Sequence, residues 1–105
     1  MNAVEWLDAA GVDELRTDDV IGVRVGDRDI ALYRVEGEVF ATDNLCTHGQ
    51  ARLCEGFLLG HEIECPFHQG RFDIRSGQAT CEPATEAVRC CPVKINAGRV
   101  CLAIG

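Results

Sequence analysis

The 105-residue chain predicts an all-β domain, an antiparallel sandwich or barrel. Short runs rich in β-branched and aromatic residues recur at close spacing. Glycine- and proline-bearing turn signals separate them. No stretch carries apolar residues at 3.6-residue spacing over several turns. With 47% apolar and 26% charged residues, the composition is that of an ordinary globular protein. Neither a linker, an internal repeat nor a low-complexity segment divides residues 1–105, which are read as a single domain. A domain of this size buries only ~65% of its unfolded surface, so a bound metal centre would contribute a large share of its stability.

Taken in order, residues 11–16 hold at most a turn or two of helix. Residues 20–25 and 29–35 are β-rich runs joined around Gly26-Asp27, and Glu36-Gly37 leads into a third run at 38–42, the pattern of consecutive hairpins. Further strands are expected at 57–59, 62–64, 71–74, 88–91, 93–96 and 99–104. Turn signals fall at Leu59-Gly60-His61, Arg75-Ser76-Gly77, Glu82-Pro83-Ala84 and Ala97-Gly98. Residues 44–50 and their echo at 65–70 fit the strand pattern least well. Loops held on a rigid scaffold are where chemistry usually sits.

Charge narrows the partners. Ten Lys plus Arg stand against 17 Asp plus Glu, a net charge of −7, and Lys94 is the only lysine. Nucleic acid and anionic membrane surfaces repel such a chain. The first residues carry no basic, apolar leader, and no apolar run approaches the roughly 18 residues of a membrane span, so the cytoplasm is the expected compartment. Thiols stay reduced there, and seven cysteines, an odd number, do not make a complete disulfide framework. Cys54, Cys81, Cys90, Cys91 and Cys101 are read as small apolar fillers or semi-exposed thiols. Cys90 and Cys91 are adjacent, so on a strand they face opposite ways. His61 is read as a surface histidine in its turn, and Arg71 as a surface residue.

Two pairs remain: Cys46-Thr47-His48, then 16 residues, then Cys65-Pro66-Phe67-His68. Each joins a soft thiolate to an imidazole at the end of a strand-like run. Four such ligands on two adjacent loops suit zinc or an iron–sulfur cluster. Spacing helps to separate the two. Common zinc hairpins place paired ligands two to four residues apart, whereas one residue separates Cys46 from His48 and points both side chains the same way on an extended segment.

These residues resemble the signature of the Rieske 2Fe-2S proteins: Cys-x-His, an intervening stretch of this length, then Cys-x-x-His. The likeness extends through Ala41-Thr42-Asp43-Asn44-Leu45-Cys46-Thr47-His48-Gly49 and Ile63-Glu64-Cys65-Pro66-Phe67-His68-Gln69-Gly70-Arg71-Phe72-Asp73. It is most similar to the Rieske ferredoxins of bacterial aromatic-ring-hydroxylating dioxygenase systems, those of the naphthalene dioxygenase type. The resemblance implies one 2Fe-2S cluster, with Cys46 and Cys65 on one iron and His48 and His68 on the other. It implies an antiparallel β-sandwich of three sheets with a cluster-binding subdomain at about 44–72, and a third, proline-bearing loop, here Glu82-Pro83-Ala84, over the cluster. Gly49 and Gly70 would let backbone N–H groups approach sulfide. Leu45, Pro66 and Phe67 would exclude water from the thiolate side, and the histidine edges would face solvent.

In the oxidised centre two ferric ions balance two sulfides and two thiolates, so an electron enters a neutral group and the potential lies above that of all-thiolate clusters. The high-potential respiratory members add a disulfide and two hydroxyl donors. At the matching positions this chain has Ala51 and Phe67 for the cysteines, Gly70 for the serine and Phe72 for the tyrosine, so a potential at the low end of the Rieske range is expected.

The resemblance therefore implies a one-electron carrier with no catalytic residues of its own. It would be a monomer that passes electrons from an NAD(P)H-dependent flavoprotein ferredoxin reductase to a Rieske non-haem iron oxygenase in aromatic hydrocarbon catabolism. Its acidic surface would steer it to basic patches on both partners. An oxygenase in its own right needs two further histidines and a carboxylate, but there are three histidines and the cluster takes two. The alternative is the Rieske-like small subunit of a nitrite reductase, whose relatives often lack ligands that this chain retains.

Overall fold

The computed structural model describes residues 5–47, 51–67, 69–82 and 84–103. Among them the strands run β1 (Trp6–Gly11), β2 (Asp19–Val25), β3 (Arg28–Val35), β4 (Glu38–Asp43), β5 (Phe57–Leu59), β6 (Glu62–Glu64), β7 (Arg71–Asp73), β8 (Ala79–Cys81), β9 (Cys90–Cys91), β10 (Val93–Asn96) and β11 (Arg99–Ala103). They form three antiparallel sheets, ordered β1-β11-β10, β2-β3-β4-β9 and β5-β6-β7-β8. The expected all-β architecture is thus the one observed.

Strand β3 shows why the layers stack as they do. Ile30, Ala31, Leu32 and Tyr33 are all fully buried, and alternation along the strand sends them to two different cores. Ile30 and Leu32 pack with Ala10, Leu15, Val25, Ala41, Val100 and Leu102. Ala31, Tyr33 and Val35 pack with Leu53, Ile63, Phe72 and the two motif cysteines. The β2-β3-β4-β9 sheet is therefore the middle layer, with the β1-β11-β10 sheet on one face and the β5–β8 sheet with its loops on the other. The Tyr33 hydroxyl, deep in this layer, bonds Thr42 Oγ1 at 2.9 Å, and Thr42 donates onward to the Asp43 carbonyl.

Several elements depart from the sequence reading. The expected helix at 11–16 is a single 3-10 turn, Val12–Glu14. Gly11 N–H donates to Glu14 Oε2 at 2.7 Å, and the buried Leu15 then ends the turn. β1 and β8 were not foreseen. Their Ala-containing segments have weak β-propensity and take their order from β11 and β7 beside them. A second 3-10 turn, Leu53–Glu55, was also unforeseen. The run at 88–91 contracts to Cys90–Cys91, because Val88 is buried and its N–H bonds the Gly77 carbonyl at 2.8 Å. Ile104 lies outside the described residues.

Candidate metal centre

Strand β4 ends at Asp43, and the chain doubles back on itself. Leu45 bridges Arg52, Cys46 N–H donates to the Ala51 carbonyl at 2.9 Å, and Leu53 N–H donates to the Asn44 carbonyl at 2.6 Å. The first loop is thus closed at its base and presents Cys46, which is only 5% exposed. A second loop leaves β6. There Cys65 N–H donates to the Gly70 carbonyl at 2.7 Å and Gln69 N–H to the Cys65 carbonyl at 3.2 Å, with Cys65 fully buried. Cys46 and Cys65 share one apolar cluster with Ala51, Leu53, Ile63, Phe72 and Ala84. The other two motif residues, His48 and His68, lie outside the described residues, as do Gly49 and Pro83.

A third segment joins both loops. Thr47 Oγ1 donates to the Glu86 carbonyl at 2.8 Å. Gly70 is pressed against Ala84 so closely that a Cβ there would sit 2.8 Å from the Ala84 Cβ and 3.0 Å from its nitrogen. This contact accounts for glycine at position 70 and leaves no room for a side chain. Leu45 and Phe67, expected to shield the thiolates, are 56% and 69% exposed. Both are exposed apolar side chains, one on each loop, and the buried neighbours of the cysteines include Ala51, Leu53, Ile63 and Ala84.

Two sulfur donors in an apolar enclosure, on neighbouring loops, suit a soft metal centre. A thiolate is costly to bury unless a cation neutralises it, and an adjacent iron does so. The donor set fits the iron–sulfur reading on that ground.

Around the loops, carboxylates and guanidinium groups are paired. Arg28 bonds Asp43, and Arg52 holds Asp29 through Nε at 3.1 Å and Nη2 at 3.2 Å. The Arg52 hydrogen bond, reinforced by one from Asn44, keeps the Asp29 carboxyl below the ordinary carboxylate range despite partial burial. Arg28, Asp29, Asp43 and Leu45 line an open cleft of about 220 Å³ beside the first loop. Burial pushes the Cys90 and Cys91 thiols up. As expected of adjacent strand residues, Cys91 enters a core while Cys90 is half-buried on the other side.

Three side chains have partners that the sequence did not show. His61 is no plain surface residue. Its side chain is 26% exposed, its ring meets Phe40 edge-on at 5.8 Å, and its Nε2 is 3.9 Å from Glu36, so it bridges the β5–β6 turn to the middle sheet. Arg71 is engaged on its own sheet, with Nε 3.1 Å from Glu64 and Nη1 3.8 Å from Glu62. Cys54 is half-buried, within its reading as a filler or semi-exposed thiol, and is hydrogen-bonded as well. Its N–H donates to Asn44 Oδ1 at 2.8 Å, and its Sγ accepts from Asn44 Nδ2 at 3.2 Å. The Asn44 network was invisible in the sequence because its partners lie 10 and 15 residues away along the chain.

Among the described residues no helix is long and apolar enough to cross a membrane. The Rieske [2Fe-2S] domain family matches residues 5–92. A ferredoxin component of naphthalene 1,2-dioxygenase/salicylate 5-hydroxylase systems from Ralstonia sp. is 58% identical over 97 residues, spanning 92% of this chain and 93% of the relative. The solved Sphingomonas yanoikuyae B1 ferredoxin superposes with a TM-score of 0.92 at 40% identity, over 96% of this chain and 100% of its own. A chain from the complex of reduced oxygenase and oxidized ferredoxin in carbazole 1,9a-dioxygenase gives 0.88 at 37% identity, over 93% and 92%.

Proposed function

The chain belongs to the Rieske 2Fe-2S domain family, and on that footing we propose that it is a one-electron carrier, the ferredoxin component of an aromatic-ring-hydroxylating dioxygenase system. In this reading residues 1–105 are a single domain with a cluster-binding subdomain at about 44–72. Cys46 and Cys65 hold one iron, and His48 and His68 the other. The protein acts in the cytoplasm as a monomer, taking electrons from an NAD(P)H-dependent flavoprotein reductase and delivering them to a terminal Rieske oxygenase. The observation that carries the proposal is the burial of Cys46 and Cys65 in one apolar cluster on adjoining, internally bonded loops.

The cluster supplies reversible exchange of a single electron at a raised potential. The protein's own residues position it and tune it. The closed bases of both loops fix Cys46 and Cys65, which would hold the cluster with little room for rearrangement. Ala51, Leu53 and Ile63 keep water from the sulfur side. The usual hydroxyl donors are missing: Phe72 is buried without an oxygen, and Gly70 has no room for a serine side chain against Ala84. Added charge is therefore less stabilised, which keeps the potential low in the Rieske range. Exposed apolar side chains on an acidic protein of net charge −7 suit brief, salt-sensitive docking.

The test is iron and acid-labile sulfide analysis with the EPR spectrum of the reduced protein. Equal iron and sulfide, a low average g value, and reduction of a monomer by NADH through a reductase are expected. His48→Ala and His68→Ala should abolish the signal. Zinc in place of iron, or a red and reversibly reducible His68→Ala protein, would refute the assignment.

A further inference from the structure

We propose that Asn44 is a positioning residue for the first ligand loop, acting as the clasp that holds Cys46 in place. The inference rests on the ligand set proposed above. Asn44 is fully buried, and each of its polar groups has a partner. Its N–H donates to the Asp29 carbonyl at 3.0 Å, and its carbonyl accepts from Leu53 N–H at 2.6 Å. Its Oδ1 accepts from Cys54 N–H at 2.8 Å, while Nδ2 donates to Asp29 Oδ1 at 3.0 Å and to Cys54 Sγ at 3.2 Å.

One side chain thus ties both ends of the loop, two residues before Cys46 and beyond Ala51, to the start of β3. Asparagine is required because the site needs an acceptor towards Cys54 and a donor towards Asp29. Aspartate would set two carboxylates against each other, and alanine would leave the Cys54 N–H without its partner. Gly22 on β2 makes room for the clasp. A Cβ there would lie 2.8 Å from Cys54 Sγ, 3.1 Å from Asn44 Nδ2 and 3.3 Å from Arg52 Nη2.

The test uses the cluster-loaded protein and four variants. Cluster loss to a chelator is followed by visible absorbance, EPR linewidths are recorded, and amide exchange in β10 and β11 serves as the control for global stability. Asn44→Ala and Asn44→Asp should speed cluster loss by roughly tenfold to a hundredfold and broaden the EPR lines, with the control amides unchanged. Combining Asn44→Asp with Asp29→Asn exchanges donor and acceptor across that bond and, with Arg52→Met added so that no guanidinium Nη2 faces the new amide, should recover most of the lifetime. Gly22→Ala presses on the clasp without removing a bond and should act in the same direction, more weakly.

Asn44→Ala with a cluster lifetime within about twofold of wild type, less than the roughly 2.7-fold change that one RT of lost hydrogen-bond energy would make, overturns the proposal. So does equal loss of protection in β10 and β11, which would make Asn44 an ordinary core residue, and so does failure of the exchanged pair to recover. If Asn44→Ala accepts no cluster at all, the exchanged pair and Gly22→Ala decide by the same criteria. Wild-type protein lacking iron and sulfide would instead bring down the ligand assignment itself.

Discussion

The middle sheet and the sheet that carries the motif loops have four strands each, but they are held by different means. Strands β2, β3 and β4 are seven, eight and six residues long, with continuous ladders. Strands β5 to β8 have three residues each. Central strand β3 buries four consecutive side chains. Among the short strands, Ile63 and Phe72 alone are fully buried, while Phe57 and Leu59 lie exposed on the edge. Three-residue ladders are too short to stand alone. The middle sheet therefore carries its own stability, while the loop sheet leans on loop closure and would gain further order from a bound metal.

The comparison would break if both halves responded alike to metal removal. Leu32→Ala removes a fully buried side chain from the middle core and should cost about 2–5 kcal/mol, unfolding both halves together in urea. Metal removal should do the reverse. In chelated protein, amides of β5 to β8 and of residues 44–53 should exchange faster, while those of β2, β3 and β4 keep their protection. Equal exchange in the two sheets would show that the short strands need no metal.

A smaller effect sharpens the boundary between the halves. Gly77, after β7, has φ +81°, and a Cβ on it would overlap the Val88 carbonyl, while its own carbonyl accepts from Val88 N–H. Gly77→Ala combines left-handed backbone strain with a clash and should cost about 1–3 kcal/mol. The loss should register first at β8 and in the 84–90 segment that reaches the motif loops.

The same contrast explains what the sequence disclosed. The hairpins β2-β3 and β3-β4 were legible because β-rich runs flank the two-residue links Gly26-Asp27 and Glu36-Gly37, and position 37 does adopt φ +81°. β1 and β8 escaped notice because their order comes from a neighbouring strand and not from local propensity. Cys46 and Cys65 stood out by spacing, a one-dimensional signal, and the fold brings them into one cluster. Asn44, Cys54 and Asp29 meet only in three dimensions, so no local pattern announced them. Burial also changed the reading of individual side chains: His61 acquired Phe40 and Glu36 as neighbours, and Phe67 proved to be exposed.

The smallest expected effect concerns the ion pair beside the clasp. Asp29 is held below its ordinary value of 3.8 chiefly by the Arg52 hydrogen bond. A depressed carboxyl stabilises the fold fully above its unfolded value, and this contribution fades as pH falls through the folded value. Arg52 is 45% exposed on its side chain, so solvent screens the pair. Arg52→Met should therefore lower stability only slightly at neutral pH and low salt, and less at high salt. Once acid has neutralised Asp29, below its depressed folded value, the variant and wild type should converge, because the guanidinium then has no charge to meet. Urea unfolding of metal-free protein at both pH values measures the difference. A gap that persisted in acid would mean that Arg52 acts through packing over Gly22, not through its charge.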